Sequence, residues 1–479
     1  MNPETKHLHL FFFPLMAQGH MLPIIDLAKL FAARGVRATM ITTPLNVPIF
    51  TRAIQRSESL STNMITIRAI TFPAKEAGLP EGLENLDLVT TPELHIKFFH
   101  AINLLQQPLE QLLQECHPNG LVADRFFPWA TDLAAKHGIP RLAYRTCFFS
   151  TCAQDSVTKN KPYQNLSSDT EPFIIPGLPD HINMTKLQLH DHIRLGFEND
   201  FSRLVGSARE SADRSYGNIF NSFYELEPAY AELYKKEKKA WHVGPMVLSN
   251  RNNDEKAARG KKSSIDTHEC LKWLDSKKPN SVVYVCFGTV TRFPDSQLME
   301  IAKGLEASGQ EFIWVVRRDE EEEDNSENWL PEGFEERAKG KGLIIRGWAP
   351  QMLILGHKAV GGFVSHCGWN STLEAVSAGV PMVTWPVFAE QFYNEKFVTE
   401  VLKTGVGVGV QRWVKFVGDS VKSDAIEKAV KRIMVGEEAE EIRSRSRVLG
   451  EMAKRAVEEG GSSYNDLDAL IEELRSFRD

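Results

Sequence analysis

Residues 348–391 read WAPQMLILGHKAVGGFVSHCGWNSTLEAVSAGVPMVTWPVFAEQ. The run Gly361–Val364 reads as a short buried strand, and Pro381–Thr384 as another. Between them a Ser365-His366-Cys367-Gly368 turn leads into a helical pattern that starts near Trp369 or Asn370. Strand, turn, helix, strand is one unit of a parallel sheet covered by helices. A helix that starts just after a strand presents free N–H groups and a positive dipole end, which suits a diphosphate. Gly368 lets backbone come close to such a group. Asn370 and Ser371 add side-chain donors, and His366 adds one more. Taken singly, Asn370 and Ser371 would only cap the helix. Glu374, four residues after Asn370 on the same helical face, suits a ribose diol. Trp348 precedes an Ala-Pro-Gln turn and has a ring free to stack on a base, and Glu390-Gln391 offers a carboxylate and an amide for sugar hydroxyls. The combination is that of a site for a nucleotide diphosphate carrying a sugar.

Working outward, the same rhythm fills the chain. His7–Pro14 reads as a buried strand, Leu22–Arg34 as a helix stopped by Gly35, Val36–Thr42 and Leu121–Ala123 as strands, and Ala130–Lys136 as a helix. Ser281–Phe287, Glu311–Arg317 and Gly342–Arg346 read as strands, Asp295–Ser308 as a helix, and Ala425–Arg478 as a charged helical tail. With 479 residues the chain is too long for one core. The expected fold is α/β, with two Rossmann-like doubly wound domains facing across a cleft. The expected divisions are an acceptor domain over residues 1–249, a linker or surface loop over 250–266, a nucleotide-sugar domain over 267–455, and a C-terminal helix over 456–479 returning to the first domain. The polar stretch Asn250–Asp266 lacks apolar periodicity, and Asp319–Asn328 reads as a solvated acidic loop.

Composition excludes several classes. A net charge of −7 argues against a nucleic-acid binder. Six scattered cysteines without CxxC spacing argue against a disulfide or zinc framework. His190-Asp191-His192 is an isolated pair, and no metal site is expected. Residues 8–16 are apolar but short and lack the flanks of a signal peptide, so a cytoplasmic protein without membrane insertion is expected. Gly405-Val-Gly407-Val-Gly409 lacks the third glycine, the following helix and the partner acid of a dinucleotide fingerprint, and no GxSxG elbow is present.

The segment 348–391 resembles, nearly position for position, the signature box of plant UDP-dependent glycosyltransferases. The likeness extends through Gly19-His20-Met21-Leu22-Pro23, GLPEGLENLD (78–87), VADRFFPWATDLAAKHGIPR (122–141), NSFYELEP (221–228), SSIDTHECLKWLDSKKP (263–279) and GLEASGQEFIWVVR (304–317). These are similar to the subgroup acting on scopoletin, flavonoids and betanidin. The resemblance implies a GT-B fold and inverting transfer of glucose from UDP-glucose to a phenolic hydroxyl, with a terpenoid or steroid acceptor as the alternative and a non-catalytic nucleotide-sugar binder as a remote one. It implies Trp348 stacked on uracil with Ala349 at its edge, and Gln351 and Glu374 on the ribose. His366, Asn370, Ser371 and Thr289 would take the phosphates. Trp369, Glu390, Gln391 and Thr146 would take the glucose. His20, in the Ala17–His20 loop after the first strand, would be the general base, oriented by Asp124. A monomer with no metal or other cofactor is implied, its partners being the two small-molecule substrates alone.

The chain departs from that pattern at Thr289, where relatives carry Ser, at Arg292, and at Tyr144-Arg145-Thr146-Cys147, which is one residue shorter. Arg292 would add charge near the diphosphate or the acceptor mouth, or merely lie on the surface. Met16, Phe126, Phe127, Phe148, Phe149 and Leu189 are the expected apolar acceptor walls.

Overall fold

The computed structural model describes residues 8–56, 64–317, 329–415 and 417–477. The acidic stretch Asp319–Asn328 lies outside the described residues. The first sheet contains β1 (His9–Phe13), β2 (Arg37–Thr42), β3 (Ile65–Ala69), β4 (Gly120–Asp124) and β5 (Arg141–Arg145). A small antiparallel hairpin follows, β6 (Pro172–Ile174) with β7 (Asn183–Thr185), and then β8 (Gly217–Phe220) and β9 (Ala240–His242) complete the first sheet. Its order is β3-β2-β1-β4-β5-β8-β9, all parallel. The second sheet contains β10 (Val282–Cys286), β11 (Glu311–Val316), β12 (Gly342–Arg346), β13 (Val360–Ser365), β14 (Met382–Thr384) and β15 (Gly405–Gly407), in the order β12-β11-β10-β13-β14-β15, also all parallel. The fold is thus two Rossmann-like α/β domains.

Parallel sheets are covered on both faces, so their strands read as unbroken apolar runs rather than alternations. β1 shows it: all five residues are buried, with Phe11 and Phe13 in one core and Leu10 and Phe12 in the other. In each sheet the strand order reverses at one point, between β1 and β4 in the first and between β10 and β13 in the second. Ligands sit beyond the carboxyl ends of strands at such reversals. The chain leaves β1 toward His20, and β4 ends in Asp124. It leaves β10 toward Gly288-Thr289, and β13 toward His366.

The charged tail forms three helices, Ser423–Met434, Glu437–Val457 and Ser462–Ser476. The last lies in the core of the first domain: Leu467, Leu470, Ile471 and Leu474 pack with Leu10, Phe12 and Trp241. Asp466 accepts from the backbone of His242 at 2.9 Å and pairs with Lys235 at 3.3 Å.

The stretch 250–266, expected as a linker or surface loop, is neither featureless nor fully exposed. Asn253–Ala258 is helical, capped by Asn252 accepting from Glu255 N–H, and Asn250, Glu255 and Ala258 are buried. Its polar groups are spent on other polar groups inside, a use that composition does not distinguish from solvation. No helix among the described residues is long and apolar enough to cross a membrane.

Candidate active site

One cleft of about 1210 Å³ receives side chains from both domains. That is more than a single small ligand fills and suits a nucleotide sugar with an acceptor beside it.

His20 lies in the first turn of the helix Gln18–Ala32, not in a preceding loop. The helix starts four residues before the expected Leu22 because its N-terminus is satisfied from elsewhere. Ala17 has no capping side chain, and the Asp87 carboxylate accepts from Gln18 N–H at 3.1 Å instead. His20 Nδ1 stands 2.7 Å from Asp124 Oδ2, with the imidazole 31% exposed and the carboxylate 1% exposed. The other carboxylate oxygen accepts from Phe126 N–H at 3.0 Å, and Arg141 donates to the Asp124 carbonyl at 3.0 Å. Asp124 is thereby fixed, accepts from Nδ1–H, and leaves Nε2 as the basic nitrogen. Burial alone would lower the His20 pKa, but the Asp124 charge and hydrogen bond outweigh it and the net shift is upward. Burial would raise the Asp124 pKa, and the His20 contact brings it down instead.

Across the cleft, β13 ends in a turn in which Cys367 has φ +63°, held by Asn394 donating to its carbonyl at 2.8 Å. Such left-handed backbone at a non-glycine residue gathers at functional sites. The helix Trp369–Ala378 follows, with no side chain capping its N-terminus. Asn370 and Ser371 do not act as its caps. Asn370 Nδ2 donates to the Gly19 carbonyl at 2.7 Å, joining the two helix N-termini across the domains, and Ser371 Oγ receives Gln351 Nε2 at 3.2 Å. Gly288 and Gly368 both face the His366 ring, and an added Cβ would sit 2.7 Å and 2.5 Å from its Nε2. Burial, helped by the Arg317 charge, lowers the His366 pKa to about 4, so the ring is neutral.

All twelve residues expected around the donor line this cleft: Thr146, Thr289, Trp348, Ala349, Gln351, His366, Trp369, Asn370, Ser371, Glu374, Glu390 and Gln391. Some are already engaged. Trp369 is buried and gives its indole N–H to the Asn221 carbonyl at 2.7 Å. The Gln391 carbonyl accepts from Val387 and Phe388 N–H at 2.8 and 3.0 Å, which turns its amide nitrogen to the remaining direction. Glu390 follows Ala389, another left-handed residue with φ +55°, at the start of the helix Gln391–Lys396.

Sequence reasoning missed the linker's part in the donor half. Ser264 bonds both backbone groups of Trp348 at 2.8 Å. Gly260 leaves no room for a Cβ against the Trp348 ring, and the Arg317 guanidinium stands 5.1 Å from that ring's centroid. Arg259 reaches Glu374. Arg292 does not line the cleft; it donates to the carbonyls of Thr289 and Thr291 in its own loop.

The acceptor wall differs from expectation. Of the six apolar candidates only Phe126 faces the cleft. Met16, Phe127, Phe148, Phe149 and Leu189 are core. Phe127 stacks on Phe13 at 4.2 Å, Phe148 on Phe220 at 3.7 Å, and Phe149 on Phe397 at 4.8 Å. The cleft is lined here instead by Phe99, Phe201, His95, His190, His192, Trp413 and Lys415. The His190 and His192 rings touch, Nδ1 to Nδ1 at 2.6 Å. Burial, with the nearby Lys415 charge, lowers His95 to about 3, and burial with His192 lowers His190 to about 3. These rings are neutral, flat and suited to an aromatic guest. Among the described residues no three His, Cys, Asp or Glu side chains are grouped to hold a metal.

The model of the UDP-glucoronosyl and UDP-glucosyl transferase family matches residues 91–448. The scopoletin glucosyltransferase of Nicotiana tabacum is 58% identical over 473 residues, covering 98% of each chain. The UDP-glucose flavonoid 3-O-glucosyltransferase 7 of Fragaria ananassa is 56% identical, covering 100% of this chain and 99% of its own. Glycyrrhiza uralensis UGT73P12, solved with glycyrrhetinic acid 3-O-monoglucuronide, superposes with a TM-score of 0.91 at 42% identity, over 99% of this chain and 96% of that one. Sequence and fold are thus shared with these proteins over nearly the whole chain, and the chain belongs to the UDP-glucoronosyl and UDP-glucosyl transferase family.

Proposed function

We propose that the protein transfers glucose from UDP-glucose to a hydroxyl of a small phenolic acceptor, with inversion at the anomeric carbon. The observation that carries the reading is the His20–Asp124 contact of 2.7 Å in a cleft that the donor residues also line. His20 Nε2 removes the proton from the acceptor hydroxyl as its oxygen attacks C1 of the α-linked glucose. The bond from C1 to the diphosphate oxygen breaks, UDP leaves, and a β-glucoside forms. Asp124 orients the imidazole and stabilises it once protonated. The N-terminus of the helix Trp369–Ala378, with His366, Asn370, Ser371 and Thr289, meets the charge that develops on the diphosphate. Trp348 takes the base, Glu374 and Gln351 the ribose, and Glu390, Gln391, Trp369 and Thr146 the glucose.

The aromatic lining supports a planar acceptor, and relatives named for scopoletin and flavonoids support a phenol over a terpenoid or steroid aglycone. The reading has the protein act as a monomer in the cytoplasm and without a metal. The test is UDP release from UDP-glucose with a panel of neutral phenols, with and without EDTA. Acceptor-dependent UDP, a product heavier by one hexose, a β-anomeric linkage and indifference to EDTA are expected. Tight UDP-glucose binding with no turnover of any phenol would keep the donor site and overturn the phenolic acceptor.

A further inference from the structure

Deepening the transfer reading, and resting on it, is a positive charge on the acceptor wall that a neutral phenol does not use. Arg125 follows Asp124 beyond the end of β4 and lines the cleft, half-buried. Its guanidinium carbon lies 4.9 Å from the centroid of the Phe126 ring, and the His20 imidazole lies 5.7 Å from the same centroid. Base and cation thus share one aromatic platform.

Arg125 differs from its neighbours in having no ion pair and no side-chain hydrogen bond among the described residues. Arg145 pairs with Asp213 at 3.3 Å and donates to Asn218 at 3.1 Å. Arg209 pairs with Asp155 at 2.8 Å. Both still add positive potential at Arg125. Of the anions that oppose it, Asp124 is spent on His20 and Phe126 N–H, and Glu390 stands among the sugar residues. Burial first, and the Arg145 charge second, hold the Arg125 pKa below the usual arginine range. A partly desolvated cation without a counter-ion is costly, and an anionic ligand relieves that cost.

We propose that Arg125 selects acceptors by binding a carboxylate carried on the same aromatic framework as the hydroxyl that His20 deprotonates. Hydroxybenzoates and hydroxycinnamates are the class. Their ring lies against Phe126, their hydroxyl meets His20 Nε2, and their carboxylate accepts from the guanidinium. The carboxylate is a handle and takes no part in bond making: the hydroxyl oxygen still forms the bond to C1, its proton still goes to His20, and UDP still departs.

The test compares kcat/KM for 4-hydroxycinnamate and its methyl ester in wild type, Arg125→Met and Arg125→Lys. In wild type the acid is expected to exceed the ester by about tenfold or more. Arg125→Met is expected to reduce that acid-to-ester ratio by about 10–100-fold, the usual worth of a charged hydrogen bond, with Arg125→Lys between. The same acid-to-ester ratio in Arg125→Met as in wild type, a wild-type preference for the ester, or a base-labile glucose ester as product would overturn the proposal. Should Arg125→Met not fold, salt carries the test in wild type: a ratio that falls on going to ~1 M salt supports charge recognition, and an unchanged ratio refutes it. Failure with acid and ester alike overturns the proposal, and failure with the whole panel of neutral phenols as well would remove the transfer reading itself. Turnover of that neutral panel separates the two failures.

Discussion

Arg259 holds Glu374. Its Nη1 lies 2.5 Å from Glu374 Oε1, and its Nε lies 2.9 Å from Asp26 Oδ2 on the helix that carries His20. Gln351 donates to the other Glu374 oxygen at 2.6 Å, and Asn250 donates to Asp26 at 2.9 Å. A residue of the polar stretch between the domains thus ties the expected ribose carboxylate to the base-bearing helix. All three side chains are no more than 9% exposed.

Removing Arg259 leaves two buried carboxylates without their cation. Arg259→Ala is expected to lose about 3–5 kcal/mol of stability in urea unfolding. KM for UDP-glucose should rise with it, because Glu374 loses its orientation. An unchanged unfolding midpoint would show that the ion pairs carry no net weight.

The raised His20 pKa sets a pH dependence. The base must be neutral, so kcat/KM climbs as pH rises through that pKa. Asp124→Asn removes the charge that raises it. The acid limb of the profile should then move to lower pH while kcat falls by about 10²–10⁴-fold, since the tautomer is no longer fixed. For stability the sign is opposite on the two partners. The His20 contribution is full below the unfolded value of 6.5 and fades as pH rises through the raised one, while the Asp124 contribution fades as pH falls through its lowered one. An acid limb that stays in place in Asp124→Asn contradicts the pairing.

Gly368 has ordinary backbone angles, so a substitution there acts by volume alone. Gly368→Ala would put a methyl 2.5 Å from His366 Nε2. Displacement of His366 and of the helix start should lower kcat/KM for UDP-glucose by roughly 100-fold. Initial rates at varied donor concentration measure it.

Trp348→Ala should weaken UDP binding by about 1–3 kcal/mol, the worth of one base stacked on an aromatic ring. Titration calorimetry with UDP is the check, and an unchanged Kd would move the base elsewhere.

Much of this was legible, for local reasons. The run 348–391 codes strand, turn and helix start in one piece, so His366, Asn370 and Ser371 fall beyond the carboxyl end of β13 wherever the rest of the chain goes. The helices Ala130–Lys136 and Asp295–Ser308 end where their patterns end. Other features depend on distant partners. The helix bearing His20 starts early because Asp87 caps it, and no pattern near Ala17 announces that. Phe127, Phe148 and Phe149 look like acceptor walls, since an apolar side chain reads the same in a core as in a cleft. The aromatic lining of the cleft comes from separated segments of both domains, among them Phe99, His190 and Trp413. Arg259 was hidden because a charge in a polar stretch usually faces water. Arg125, a cation set between Asp124 and two phenylalanines, went unread for the same reason.

The most direct measurement is UDP formation by His20→Ala with UDP-glucose and a neutral phenol, beside UDP affinity of the same variant. Turnover should fall by about 10²–10⁴-fold with UDP affinity retained. Near wild-type turnover would contradict the account, because the acceptor proton would then leave without His20.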